Sequence, residues 1–342
     1  MTSTRESSPA PLLSVTVLNY NYGHYLANCL DSILGQTLRD FELLLVNDKS
    51  TDDSLQVIRP YLADPRVRLV DHEVNQGFVR SLIEGSQLSR GRYISVISAD
   101  DWVADPTAFE KQLAVLESHP DAVMAFSAYG LYESPEHVPF VSRAASGSYV
   151  RPGREVFGEF LLHGYPQHSG TVVRRSAYEA LGGYDPTLKY SVDAQLFLGI
   201  CHFGQVAYVD EPLYAYRRHP SSMSKDPRAL RAAILELFRL IDWSFAFLPE
   251  AERQRLRGVY ARARARALTT FASDAIFSGN PRLGLRFFRV GLQLSPVETL
   301  WQKSTAAMAL RLLLGSRGYR LIESIRGAGR PAPAAQPAGQ SR

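Results

Sequence analysis

The apolar run from Tyr93 to Ala99 ends in two adjacent carboxylates, Asp100 and Asp101. Its β-branched and aromatic residues suit a buried strand, so the acid pair stands where that strand leaves the core. In open α/β sheets the carboxyl edge of the strands is where ligands bind. An isolated Asp-Asp has a plainer reading too, as a surface turn or as a helix N-cap ahead of Pro106. Other polar residues gather at comparable places. The strand pattern at 13–18 stops at Asn19-Tyr20-Asn21, and the one at 41–46 stops at Asn47-Asp48. Farther on, Asp193 opens a helical pattern holding Leu196, Phe197, Ile200 and Cys201.

The elements that must hold these residues follow from periodicity. Leu26, Cys29, Leu30, Ile33 and Leu34 recur at spacings of three and four, which predicts a helix over 25–36. Ser50-Thr51-Asp52-Asp53 offers caps for a second helix, 66–70 reads as a third strand, and a third helix runs from Gly77 to about Ser89. Strand and helix alternate through four strands, an order that gives a parallel sheet covered by helices. Beyond Asp101 the pattern predicts a helix over 107–118 and a strand over 122–127. A Gly/Pro/Ser-rich excursion over 130–155 follows, then a helix over 156–162. Strands at 171–174, 205–209 and 213–217 and a helix at 176–181 complete this part. From Pro227 the pattern turns helical, with helices over 228–247, 250–278, 281–294 and 297–314 punctuated by Pro249, Gly279-Asn280-Pro281 and Pro296. The first twelve residues and the Ala/Pro/Gly-rich stretch after Gly327 read as disordered.

A length of 342 residues is enough for a large core and for two units. Cys29 and Cys201 sit in apolar helical contexts without metal or disulfide spacing, as core thiols of a reducing compartment do. No signal peptide and no run of membrane-spanning length is visible. The expected location is the cytoplasm, or the inner face of the cell membrane. The net charge of +4 is unevenly spread. Residues 1–227 carry 19 Lys and Arg against 27 Asp and Glu, whereas residues 228–342 carry 19 against 7. A basic, aromatic-bearing C-terminal region suits an anionic membrane surface or a helical bundle that packs on the rest of the chain or on another subunit. No nucleic-acid motif accompanies the charge.

Several short motifs stand in one order: Leu18-Asn19-Tyr20-Asn21, Gln36-Thr37, Val46-Asn47-Asp48-Lys49-Ser50-Thr51-Asp52, Asn75-Gln76-Gly77 and Ser98-Ala99-Asp100-Asp101. They continue through Gly182-Gly183-Tyr184-Asp185, Val192-Asp193 and Tyr216-Arg217-Arg218-His219. Together, over residues 13–225, they resemble the inverting family 2 glycosyltransferases. The resemblance implies an α/β fold of the GT-A type: a Rossmann-like, mixed but mainly parallel sheet flanked by helices. It would occupy residues 13–226, with an all-helical region over 227–326. It also implies transfer of a sugar from a UDP- or dTDP-sugar to a hydroxyl of a glycan or lipid-linked acceptor in polysaccharide or glycoconjugate synthesis.

Residue by residue, the resemblance puts Leu18, Asn19, Tyr20, Asp48 and Asp100 at the donor. Tyr20 would stack on the base, Asp48 would accept the base's ring N–H, and Asp100 would hold the ribose. Asp101 and His219 would hold Mg2+ or Mn2+, a hard cation that takes oxygen ligands and keeps phosphates in its shell. Asp193 would be the base that removes the acceptor's proton. His168, Gly182, Gly183 and Tyr184 would border the acceptor pocket, and Arg217 and Arg218 would be solvated or phosphate-facing. The chain departs from the family at Ser98, where an acid is common, and at Ser81-Leu82-Ile83, where relatives carry Ala-Arg-Asn; the reach of Arg80 stays open. Two other readings are a nucleotide-sugar-binding scaffold and a nucleotidyltransferase. Asp193 argues against the scaffold, and Asn19-Tyr20-Asn21 stands where a nucleotidyltransferase would carry a Gly-rich basic loop.

Overall fold

All seven residues of β1 (Leu13–Asn19) and all seven of β2 (Phe41–Asn47) are buried. Only a central parallel sheet with helices on both faces covers alternate side chains equally. The computed structural model describes residues 9–132, 140–219, 227–277 and 279–314. Among them the chain builds one mixed sheet in the order β3-β2-β1-β4-β9-β6-β10-β5. Its members are β3 (Val67–Asp71), β4 (Tyr93–Ser98), β5 (Trp102–Val103), β6 (Ala122–Tyr132), β9 (Val172–Arg174) and β10 (Gln205–Arg217). β1 pairs in parallel with β2 and β4, and β2 with β3, while β9 runs antiparallel between β4 and β6. The mixed, mainly parallel sheet expected from the sequence is present.

The helices follow their periodicity. In α1 (Gly23–Leu34), Leu26, Cys29, Leu30 and Ile33 face the core beside Leu43, Leu45 and Ile97 of the sheet. α2 (Ser54–Ile58), α3 (Phe78–Leu88) and α4 (Ala108–Ser118) complete the layers of the first half. α5 (Gly153–His163), α6 (Arg175–Leu181) and α7 (Val192–Ile200) belong to the second half. Register places Asn19 opposite Asn47, and Leu18 opposite both Val46 and Ser98, so the polar ends of β1, β2 and β4 share one edge.

In the sheet-bearing part, four expectations need correction. The 130–155 stretch is not a plain loop: β6 runs on to Tyr132, β7 (Phe140–Ser142) pairs with it, and β8 (Tyr149–Pro152) pairs with β10. The stretches 205–209 and 213–217 are one strand whose register shifts around Pro212, because a proline lacks the N–H that a ladder needs. β5, directly after the acid pair, has only two residues and was not legible as a strand; it pairs with β10 at Tyr214 and Ala215. Order also begins before residue 13, since Pro11 is buried and the Leu12 carbonyl accepts from Tyr93 N–H at 2.9 Å.

The helical region does not separate at Pro227. The chain divides into Met1–Val259 and Tyr260–Arg342, so α8 (Pro227–Ala246) and α9 (Glu250–Arg255) belong to the first unit. The 250–278 helix breaks at Leu256 into α9 and α10 (Arg257–Phe277). In the second unit, α11 (Pro281–Leu294) is capped by Asn280, whose side chain accepts from Leu283 N–H. Gly284 of α11 lies against Ala272 and Ile276 of α10, where a Cβ would be within 2.5 Å of the Ile276 side chain. Met308 joins Ala272 and Ile276 in a small core flanked by Phe277, Phe287 and Phe288. The 297–314 helix is two pieces, α12 (Pro296–Leu300) and helical residues 303–314. No helix among the described residues is long and apolar enough to cross a membrane. The expected disorder at 1–8 and after Gly327, and the helical expectation for 315–326, fall outside the described residues.

Candidate active site

The loops after β1 and β2 are tied together by short polar side chains. Asn19 Nδ2 donates to Asn47 Oδ1 at 2.9 Å and to Ser50 Oγ at 3.1 Å. Ser50 Oγ in turn donates to Asn47 Oδ1 and accepts from Asn21 N–H. Asn21 Oδ1 accepts from Thr51 N–H, and Asp52 Oδ2 accepts from Gly23 N–H at the start of α1. Asn21 and Lys49 have φ of 59° and 60°, a left-handed conformation that asparagine adopts more readily than most residues. This lacing holds Tyr20 at the edge with 48 % of its surface exposed. A flat aromatic face is thereby offered to solvent.

Asp48 is buried and holds the next turn. Its Oδ1 accepts from His72 Nδ1 at 2.8 Å and from Gln76 N–H at 2.7 Å, and its Oδ2 accepts from Gly77 N–H at 2.8 Å. Gly77 has φ of +87°, which favours the residue without a Cβ. Burial raises the pKa of Asp48, but the His72 and backbone hydrogen bonds outweigh it and hold the carboxyl below its ordinary range. The other ring nitrogen of His72, Nε2, lies 2.8 Å from Glu84 Oε2 on α3.

The acid pair is reached from β10. Asp101 is buried; its Oδ1 accepts from Arg217 N–H at 3.0 Å, and the Ser169 hydroxyl also bonds to its carboxyl. Burial first, and then the charge of Asp100, push Asp101 well above the ordinary carboxylate range. His219 Nε2 lies 2.9 Å from Asp100 Oδ2, so the imidazole is paired with Asp100 rather than with Asp101. Arg217 is neither solvated nor phosphate-facing. It is buried with its guanidinium 4.5 Å from the Tyr25 ring centroid and 4.7 Å from that of Trp102. Its Nε donates to the Asp100 carbonyl at 2.8 Å, making it a brace for the turn that carries both acids. Among the described residues no three His, Cys, Asp or Glu side chains are grouped to hold a metal by themselves.

Asp193 lies in the first turn of α7, where Oδ1 accepts from Ala194 N–H at 2.7 Å. Burial lifts its pKa to about 6. The segment before it is fixed from α8: the Glu236 carboxylate accepts from the N–H groups of Lys189, Tyr190 and Ser191 at 2.9, 2.9 and 3.0 Å. His168 Nε2 lies 2.7 Å from Tyr184 Oη, and burial pulls the His168 pKa down to about 4, so the ring is neutral.

These groups open onto one cleft of about 650 Å³. Its lining includes Leu18, Asn19, Tyr20, Asp48, Ser98, Asp100, Asp101, His168 and Asp193. Three expected acceptor residues do not line it. Tyr184 is buried behind His168, and Gly182 and Gly183, with φ of +85° and +76°, end α6. His219 stands behind Asp100 and is not part of the lining, and Arg80 is exposed on α3 and not part of the lining either.

The Glycosyl transferase family 2 profile matches residues 14–182. The chain belongs to this family. Among its curated relatives, "Uncharacterized glycosyltransferase EpsJ" of Bacillus subtilis (strain 168) is 28% identical over 225 residues, covering 64% of each chain. Chondroitin synthase of Escherichia coli is 26% identical over 217 residues, covering 63% of this chain and 30% of that one. The match thus spans less than two thirds of either relative. Among solved structures, S. aureus TarS 1-349 in complex with UDP-GlcNAc superposes with a TM-score of 0.61 at 16% identity, covering 94% of this chain and 93% of that chain. At that identity the likeness speaks for the fold, which is α/β of the GT-A type.

Within this family 2 chain, sequence reasoning missed His72, Glu84, Glu236 and the bracing role of Arg217. His72 carried a usable signal, since it follows β3 at the same sheet edge as Asn19 and Asn47. Glu236 carried none, because it lies in a helix with no motif, more than 40 residues beyond the segment that it holds.

Proposed function

We propose that the chain is an inverting glycosyltransferase that moves a sugar from a UDP- or dTDP-sugar to a hydroxyl of a glycan or lipid-linked acceptor. The observation that carries this reading is that Tyr20, Asp48, Asp100, Asp101 and Asp193 line one cleft. Tyr20 offers a stacking face to the base, Asp48 an acceptor for its ring N–H, and Asp100 an acceptor for ribose hydroxyls. Asp193 takes the proton of the acceptor hydroxyl as that oxygen bonds to the anomeric carbon. The bond from that carbon to the diphosphate oxygen breaks, and its electron pair leaves with the nucleoside diphosphate. Attack opposite the leaving group inverts the anomeric centre. A base with a pKa of about 6 is largely ionised at neutral pH and still able to take a proton.

The acid pair fits a divalent cation. Two adjacent carboxylates, one of them buried beside the other's charge, form an oxygen donor set that Mg2+ or Mn2+ suits. Asp101 and Asp100 would hold it with His219 behind, the remaining ligands coming from diphosphate and water. When bound, the cation stabilises the charge that grows on the departing diphosphate.

A thermal-shift panel of nucleotide sugars with Mg2+ or Mn2+ tests the donor class, because binding raises Tm by mass action. UDP- or dTDP-sugars are expected to raise Tm and ADP- or CMP-sugars to leave it unchanged. No shift with any nucleotide sugar would overturn the proposal.

A further inference from the structure

His72 is buried with a carboxylate on each ring nitrogen: Asp48 Oδ1 on Nδ1 and Glu84 Oε2 on Nε2, both at 2.8 Å. A neutral imidazole has one N–H and one lone pair, so it satisfies only one such neighbour; the doubly protonated ring donates to both. The charged groups bonded to the ring are Asp48 from the end of β2 and Glu84 from α3. Asp71, next to His72 in sequence, directs an oxygen to Asn47 Nδ2 at 2.7 Å instead. Burial lowers the His72 pKa, but the two carboxylates outweigh it and the ring stays charged above its ordinary range.

The consequence lies on Asp48. A carboxylate has about four acceptor positions. His72 and Gln76 N–H use both positions on Oδ1, and Gly77 N–H uses one on Oδ2. What Asp48 has left for the cleft is one acceptor position on an oxygen that carries no proton. Such a group accepts the ring N–H of a uracil-type base. It repels the bare ring nitrogen at the same position of cytosine, where two acceptors meet without a hydrogen.

We propose that His72, locked between Asp48 and Glu84, is the positioning residue that sets the base preference of the cleft, by fixing the orientation of the Asp48 carboxylate and so of its one remaining acceptor position. The proposal rests on the donor reading given above and adds to it a residue outside the cleft lining. Its effect depends on charge. As pH rises and His72 loses a proton, a lone pair replaces an N–H against one of the two carboxylates, the clamp on Asp48 loosens, and affinity for uracil nucleotides falls.

The test is calorimetric titration of the full chain with UDP and with CDP in Mg2+, from about pH 6 to pH 9. The proteins are wild type, His72→Gln and Glu84→Gln, each checked by circular dichroism. Affinities are compared as variant-to-wild-type ratios at each pH, so that titration of the uracil ring itself cancels. Wild type is expected to prefer UDP by about tenfold or more, the scale of a buried hydrogen bond replaced by a repulsive contact. His72→Gln is expected to bring that preference below about threefold and to lose the pH-dependent component. Glu84→Gln, which alters the half-exposed end of the relay, should keep the preference at low pH and lose affinity at lower pH than wild type. Unchanged preference and pH dependence in His72→Gln, or an unchanged pH dependence in Glu84→Gln if His72→Gln does not fold, would overturn the proposal. Equal affinity of wild type for UDP and CDP would overturn it as well while leaving nucleotide binding intact. Binding of neither nucleotide by wild type would instead overturn the donor reading on which it rests.

Discussion

The two sides of the cleft are held by different kinds of support. On the donor side, Asn19, Asn21, Asn47, Ser50 and Asp52 bond to one another and to the backbone across two neighbouring loops, and Asn47 also donates to Asp71. On the base side, three successive backbone N–H groups before Asp193 share one carboxylate, Glu236, from a helix more than 40 residues later, with one further bond from the Ser191 hydroxyl to the Ala233 carbonyl. A redundant mesh loses little when one member is removed, whereas three backbone N–H groups sharing one acceptor lose their partner together. The donor side should therefore tolerate substitution of its loops, and the base side should fail at Glu236 without any change in donor affinity.

The largest expected effect tests whether the sides separate at all. Asp193→Asn should lower transfer by about 10²- to 10⁴-fold, the usual range for a general base, with UDP affinity by calorimetry unchanged. Parallel loss of UDP affinity would mean that Asp193 serves the donor side. Asp101→Ala, or chelation of Mg2+ and Mn2+ in wild type, should remove most diphosphate affinity along with transfer. Metal-insensitive UDP binding would take Asp101 out of the cation site. Glu236→Ala should reduce kcat about tenfold or more and leave the donor KM within about twofold; an unchanged kcat would remove the brace from the account. Tyr20→Ala should weaken UDP binding by about three- to tenfold, the worth of one aromatic stack, without altering kcat at saturating donor.

The same contrast explains what was legible in the sequence. The donor side could be read because its residues follow strand ends in chain order, and a strand end followed by Asn, Asp or Ser has a local meaning. Asp100, Asp101 and Asp193 could be read for the same reason, each sitting at the end of a strand or the start of a helix. Tyr184, Gly182 and Gly183 were placed at the cleft by likeness, yet the glycines serve the left-handed close of α6 and the tyrosine supports His168 from behind. Arg217 looked like a surface cation because its partners, Tyr25, Trp102 and Asn28, come from elements far from it in the chain. α8 looked like the start of a separate helical region because its amphipathic pattern does not say which surface its apolar side meets. Periodicity identifies the elements, but which carboxylate reaches which backbone is decided by the assembled fold.

A buried Asp193 is expected to act as the base in a cleft whose donor side is held independently of it. The pH dependence of kcat for sugar transfer, at saturating donor and between about pH 5 and pH 8, tests it most directly. Burial places the Asp193 pKa near 6, so the carboxylate is ionised above that value and protonated below it. We expect kcat to fall as pH drops through about 6, while UDP affinity measured alongside does not follow that fall. A kcat that stays flat across the range, or that falls only in step with UDP affinity, would contradict it.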